Sequence, residues 1–139
     1  MRILCLTLLC ASATFAGEKA KSYTYSQSTG KLMLGDKLIG KGYSGAPSGK
    51  NDPDKEAVKN VGPIPRGLYT IGKARKYKSM NDCMDLTPKG HKAHGRTEFL
   101  IHGDSKAKPG TASQGCIILD AATRKAIAES GVGLLEVVR

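Results

Sequence analysis

Two residues in this chain sit where a nucleophile and its base would have to sit. In FLIHGDSKAKPGTASQGCIIL, residues 99–119, one apolar run ends on His102 and the next begins on Cys116, with a glycine-containing loop between them. If the two runs pair as strands, both side chains face one loop mouth. An imidazole beside a thiol can take its proton or favour the thiolate, which is the reactive species. Gly115 lets the backbone approach a substrate closely. The N–H groups of Gln114, Gly115 and Cys116 can form an oxyanion hole. The ordinary alternatives are a buried structural thiol, a disulfide from Cys83 to Cys116, and a strand-end histidine bonded to solvent. Cys83, His91, His94, His102 and Cys116 also include metal-ligand types, but their spacing matches no zinc motif, so no metal is expected.

The elements that must position this pair are mostly strands. Tyr23 to Gln27 alternates, Ser28-Thr29-Gly30 turns the chain, and Lys31 to Leu34 and Lys37 to Ile39 complete a small meander around Gly35-Asp36. Residues 40–66 carry Gly, Pro, Asn and Asp throughout and read as a long functional loop. Gly67 to Gly72 alternates as a strand. Residues 73–96 are basic and poorly patterned, with a strand indicated near Cys83 to Leu86. Phe99 to His102 and Cys116 to Leu119 are the apolar strands of the pair. Asp120 can cap a helix over residues 121–130 that Gly131 ends, and Leu134 to Val138 closes as a strand. The expected class is mainly β with one helix, a mixed β-sandwich or barrel-like sheet.

The 139 residues make one domain, long enough for a real core. The net charge of +10 implies an acidic partner, either nucleic acid or the anionic bacterial envelope. Lys and Arg are dispersed, Trp is absent, and no nucleic-acid motif is present, which argues against nucleic acid. Residues 1–16 follow the charged, apolar, small-residue order of a secretory signal peptide, with cleavage favoured after Ala16. That leaves residues 17–139 as the mature domain. The apolar run is too short for a permanent membrane span. Cys5 and Cys10 leave with the signal, so the exported chain keeps Cys83 and Cys116. The expected location is periplasmic or secreted.

The block Ser113-Gln114-Gly115-Cys116-Ile117, preceded by His102-Gly103, resembles the active-site signature of L,D-transpeptidases. Gly62 to Tyr69 (GPIPRGLY) resembles a second block of that family. Closer still are the type VI secretion L,D-transpeptidase effectors. Tyr25 to Gly30, Gly42-Tyr43-Ser44-Gly45, Lys50-Asn51, Gly95-Arg96, Phe99 to Ser105 and Pro109 to Leu119 all resemble that branch, over residues 22–138.

The resemblance implies an L,D-transpeptidase-like β-sandwich, Cys116 as nucleophile and His102 as general base. Ser113 would stand beside them, and Gly115 with Gln114 would form the oxyanion loop. It further implies that Gly103, Asp104, Ser105 and Tyr43 orient the site, and that Arg96 holds a substrate carboxylate. The implied substrates are peptidoglycan stem peptides, trimmed or exchanged at D-alanine without a cofactor, and an immunity protein is an implied partner of a toxin. Two departures stand out. Gln114 replaces a usual histidine. Ile117-Ile118 follows the cysteine where an arginine is usual, so another basic residue must serve there.

Overall fold

The computed structural model describes residues 21–139; the expected signal segment, residues 1–16, lies outside the described residues. The strands are β1 (Tyr23–Ser26), β2 (Lys31–Leu34), β3 (Lys37–Lys41), β4 (Tyr43–Ser44), β5 (Gly67–Ile71), β6 (Arg75–Tyr77), β7 (Met80–Lys89), β8 (Phe99–His102), β9 (Ile117–Ile118) and β10 (Leu134–Val138), with one helix, α1 (Ala121–Ser130). They form a single mixed sheet in the order β3-β2-β1-β10-β5-β7-β8-β9-β4, with β6 paired to β7 off this path. This is the mainly β, one-helix class that the sequence predicts, in its barrel-like form.

The two ends of that order, β3 and β4, are adjacent in the chain and joined through Gly42 alone. The sheet is therefore nearly closed on itself, which leaves little unpaired strand edge. Gly42 makes the corner tight. Its N–H donates to the Gly30 carbonyl at 2.9 Å, and a Cβ there would overlap the Ile118 carbonyl. Tyr23, Tyr25, Leu32, Tyr69, Ile101 and Leu135 fill the interior. Each contributes on the order of 1.5–3 kcal/mol through apolar burial.

The helix is bounded as its sequence dictates. The Asp120 carboxylate accepts from the Thr123 N–H at 2.8 Å, and Gly131 at φ 72° closes the C-terminus. The poorly patterned segment 73–96 holds the surprise. It contains the hairpin of β6 and β7, and β7 runs for ten residues. Asp82 at φ 54° and Pro88 break its alternation, and β5, β6 and β8 pair along it on both sides, so tertiary pairing decides where local pattern does not.

Strands β8 and β9 pair in parallel, Ile101 opposite Ile117 and His102 opposite Ile118. Parallel strands need a long return, and residues 103–115 supply it. The register sets Cys116 level with Leu100, two residues from the position of His102, or about 6.6 Å along the strand at about 3.3 Å per residue. Phe99, Ile101 and Ile117 point into the core. Alternation turns Leu100, His102 and Cys116 to the opposite, outer face.

Candidate active site

That outer face carries a cleft of about 710 Å³ whose lining includes both Cys116 and His102. The Tyr77-Lys78 tip of the β6–β7 hairpin forms one wall, and Thr111, Ala112 and Gln114 form the other. The two residues singled out from the sequence thus share one cavity. Cys83 does not join them by a bond: both thiols are free, and the Cys83 sulfur faces the Met80 and Asn81 carbonyls at 3.7 Å.

His102 is oriented by its own neighbour. Its Nδ1 lies 2.8 Å from the Gly103 carbonyl. A carbonyl only accepts, so Nδ1 carries the proton and the lone pair is on Nε2. The Tyr77 ring packs against the imidazole at 5.6 Å between centroids. Burial pushes the His102 pKa below its ordinary value, and the Lys78 and Arg124 charges push the same way against the Gly103 hydrogen bond. Cys116 is half-buried. Burial raises its thiol, while the Leu100 N–H and the Arg96 charge favour the thiolate. The resting pair is therefore a neutral thiol and a neutral imidazole. The thiol contacts the Glu98 carbonyl at 3.7 Å, which Glu98 presents from a left-handed backbone, φ 64°. Such non-glycine strain often marks functional positions.

The loop before Cys116 is pinned from three sides. Ser113 Oγ donates to the Cys116 carbonyl at 2.6 Å and accepts from Gly45 N–H at 2.9 Å and Gly115 N–H at 3.1 Å. One hydroxyl has one proton and two lone pairs, so all are in use. Ser113 shapes the loop and does not support His102. Because the Gly115 N–H serves Ser113, it is not pointed at a substrate. The Gln114 N–H has no partner among the described residues, and Gln114 lines the cleft.

Arg96 is buried, and its role differs from the expected carboxylate clamp. Nη1 donates to the Glu56 and Pro63 carbonyls at 2.6 and 2.8 Å, and Nη2 to the Gly62 and Gln114 carbonyls at 3.1 and 3.0 Å. All four terminal N–H bonds are thus committed to backbone, so the two-pronged end of the guanidinium is not free to clamp a substrate carboxylate. Gly115, at φ 139°, packs against this guanidinium, and a Cβ there would stand 2.6 Å from Nη2. Gly115→Ala is expected to cost about 1–3 kcal/mol, since neither the strained φ nor the clamped arginine can yield; a thermal melt measures it.

Tyr43 and Asp104 hold the far side of the return loop. The Tyr43 hydroxyl donates to Asp104 Oδ1 at 2.6 Å and accepts from the Ala112 N–H at 3.0 Å. Asp104 also accepts from the N–H groups of Ser105 and Gly110. Burial and then Asp104 push the Tyr43 pKa up to about 12. Ser105 Oγ accepts from the Lys108 N–H at 3.0 Å. These residues fold residues 103–112 against the barrel and make no hydrogen bond to His102, whose partner is Gly103. Sequence reasoning missed Tyr77, Lys78 and Glu98, which sit in unpatterned stretches without a motif to flag them. The metal-ligand types are scattered: His91 bonds the Leu68 carbonyl, His94 faces Glu56, and among the described residues no three His, Cys, Asp or Glu side chains converge.

A family model described as the Tlde1 domain matches residues 39–133. The chain belongs to the Tlde1 domain family. This is a type VI secretion effector family. The match runs from β3 to the turn before β10 and includes every residue of the cleft. No curated protein matches the chain significantly. No helix among the described residues is long and apolar enough to cross a membrane.

Proposed function

We propose that this Tlde1 domain is a cysteine-dependent L,D-transpeptidase or L,D-carboxypeptidase acting on peptidoglycan stem tetrapeptides. The observation that carries this reading is the shared cleft of Cys116 and His102, with the His102 lone pair fixed on Nε2. Nε2 takes the thiol proton as Sγ attacks the carbonyl between the diamino acid and the terminal D-alanine. The C–N bond breaks, the proton passes from His102 to the leaving nitrogen, and a thioester remains on Cys116. A stem amine then gives a cross-link, a free D-amino acid gives exchange, and water gives trimming. The Gln114 N–H is the open donor for the oxyanion. Either trimming or exchange removes cross-linking donors from a wall, which suits an antibacterial effector delivered to the periplasm and answered by an immunity protein.

The test incubates the full chain with tetrapeptide muropeptides and follows mass. Loss of one D-alanine, or its replacement by an added D-amino acid, supports the reading and names the acceptor. Unchanged muropeptides with measurable wall binding would instead mark a non-catalytic wall-binding module.

The neutral resting pair sets the pH dependence. The competent form needs His102 unprotonated, so kcat/KM falls on the acid side only below about 6.5, the ordinary histidine value that burial depresses. It also needs the thiol proton for the leaving amine, so the alkaline limb lies above the ordinary thiol value of 9.0. A wide plateau between those limits is expected from a pH–rate profile. An acid limb above neutrality would contradict the depressed histidine.

A further inference from the structure

The cleft does not end at His102. A second cavity of about 540 Å³ continues past Gly103 to Ala107, and it shares Tyr77, Lys78, His102, Thr111 and Ala112 with the first. His102 therefore stands between a chamber lined by Cys116 and a chamber that Cys116 does not line. We propose that Lys78 is the anion-binding residue of this junction, holding the carboxylate of the amino acid that leaves and of the one that replaces it. This rests on the transpeptidase reading above.

The path of the substrate supports the assignment. With its carbonyl at Cys116 Sγ, the peptide must set its leaving nitrogen toward His102, which protonates it. The α-carbon and carboxylate follow within about 3 Å of bonded chain, at about 1.5 Å per bond. They therefore fall where the two chambers meet.

A leaving amino acid at that point presents a carboxylate, and among the described residues only one uncommitted cation lines both chambers. Arg75 is committed to Asp85 through two hydrogen bonds of 2.9 Å. Arg96 is committed to four carbonyls. Arg124 donates to the Leu119 carbonyl at 2.8 Å and to the Asn81 carbonyl at 3.1 Å. Lys106 lines the second chamber alone. Lys78 lines both, and its ammonium group has no hydrogen bond or ion pair among the described residues, only the Tyr77 ring at 5.5 Å. It projects from the β6–β7 turn at φ 52°, on a hairpin whose register shifts between Arg75 and Tyr77. A charge felt at His102 is also close enough to act on the leaving group beside it.

The same contact selects the acceptor. In exchange, the amine of an incoming D-amino acid attacks the thioester carbon, the C–S bond breaks, and the amine proton returns through His102 to Sγ. An acceptor with an α-carboxylate gains the Lys78 contact, whereas its amide does not.

Alkylation of Cys116 tests the charge without requiring turnover. Wild type, Lys78→Ala and Lys78→Arg are treated with iodoacetate and with iodoacetamide, and modification at Cys116 is read by peptide mass. The iodoacetate-to-iodoacetamide rate ratio is expected to fall by about threefold in Lys78→Ala, the scale of a single charge acting across a hydrated cleft, and to recover in Lys78→Arg. In exchange assays, Lys78→Ala is expected to raise KM for D-amino acids and to leave KM for the amide acceptor unchanged, while thioester formation slows with either acceptor because the leaving carboxylate loses the same contact. An unchanged alkylation ratio overturns the proposal. A charge-dependent ratio in a protein that leaves muropeptides intact retains the anion site and removes the transpeptidase reading.

Discussion

Cys116→Ala is expected to end thioester formation, lowering tetrapeptide turnover by at least about 10⁴-fold, the scale at which removal of a covalent nucleophile acts. Stability should change by less than about 1 kcal/mol, because the half-buried thiol makes only weak backbone contacts, to the Glu98 carbonyl at 3.7 Å and to the Leu100 N–H. No neighbouring group can substitute. The Ser113 hydroxyl is saturated by three hydrogen bonds. The Thr111 hydroxyl donates to the Lys108 carbonyl at 2.6 Å. Cys83 is fully buried. Intact-protein mass after mixing with substrate should show an acyl adduct on the wild type and none on the variant, alongside matching thermal melts. Turnover by Cys116→Ala near the wild-type rate would remove Cys116 from the mechanism. Unfolding of the variant would instead give the thiol a structural role that its weak backbone contacts do not suggest.

The sequence made the shared cleft of His102 and Cys116 legible because both residues sit at strand ends. His102 closes an apolar run and Cys116 opens one, and once those runs pair in parallel the shared face follows from alternation. The helix was equally legible, since Asp120 and Gly131 are chemical stops at both ends. The supporting residues were not. Asp104, Ser113 and Arg96 lie in loops and Tyr43 on the two-residue β4, where residue type indicates polarity but tertiary contact decides the partner. Arg96 shows the limit most clearly. An arginine near a nucleophile suggests a substrate carboxylate, but its partners are carbonyls of residues 56, 62, 63 and 114, which no spacing announces. The β6–β7 hairpin was obscured for a different reason: Asp82 and Pro88 break the apolar alternation, and pairing with β5, β6 and β8 holds β7 extended. Lys78 was hidden with it.

Arg96→Met is expected to destabilise the domain by on the order of 3–5 kcal/mol, because removing the guanidinium strips up to four carbonyls of a donor at once. The loop from Glu56 to Pro63 and the loop at Gln114 have this side chain as their common tie, so the loss is not confined to one turn. A domain of this size should melt roughly 10–20 °C lower. Arg96→Lys separates the clamp from a simple need for positive charge. An ammonium group keeps the charge near Cys116 but has three donors at a single point, and it cannot reach carbonyls arrayed around a planar fork. It should therefore recover little of the stability. Activity should fall in both variants even well below their melting temperatures, because releasing the Gln114 carbonyl loosens the residue whose own N–H, in the preceding peptide, is open beside Cys116. Wild-type stability in Arg96→Lys would mean that the charge, rather than the four-carbonyl geometry, holds this wall of the cleft.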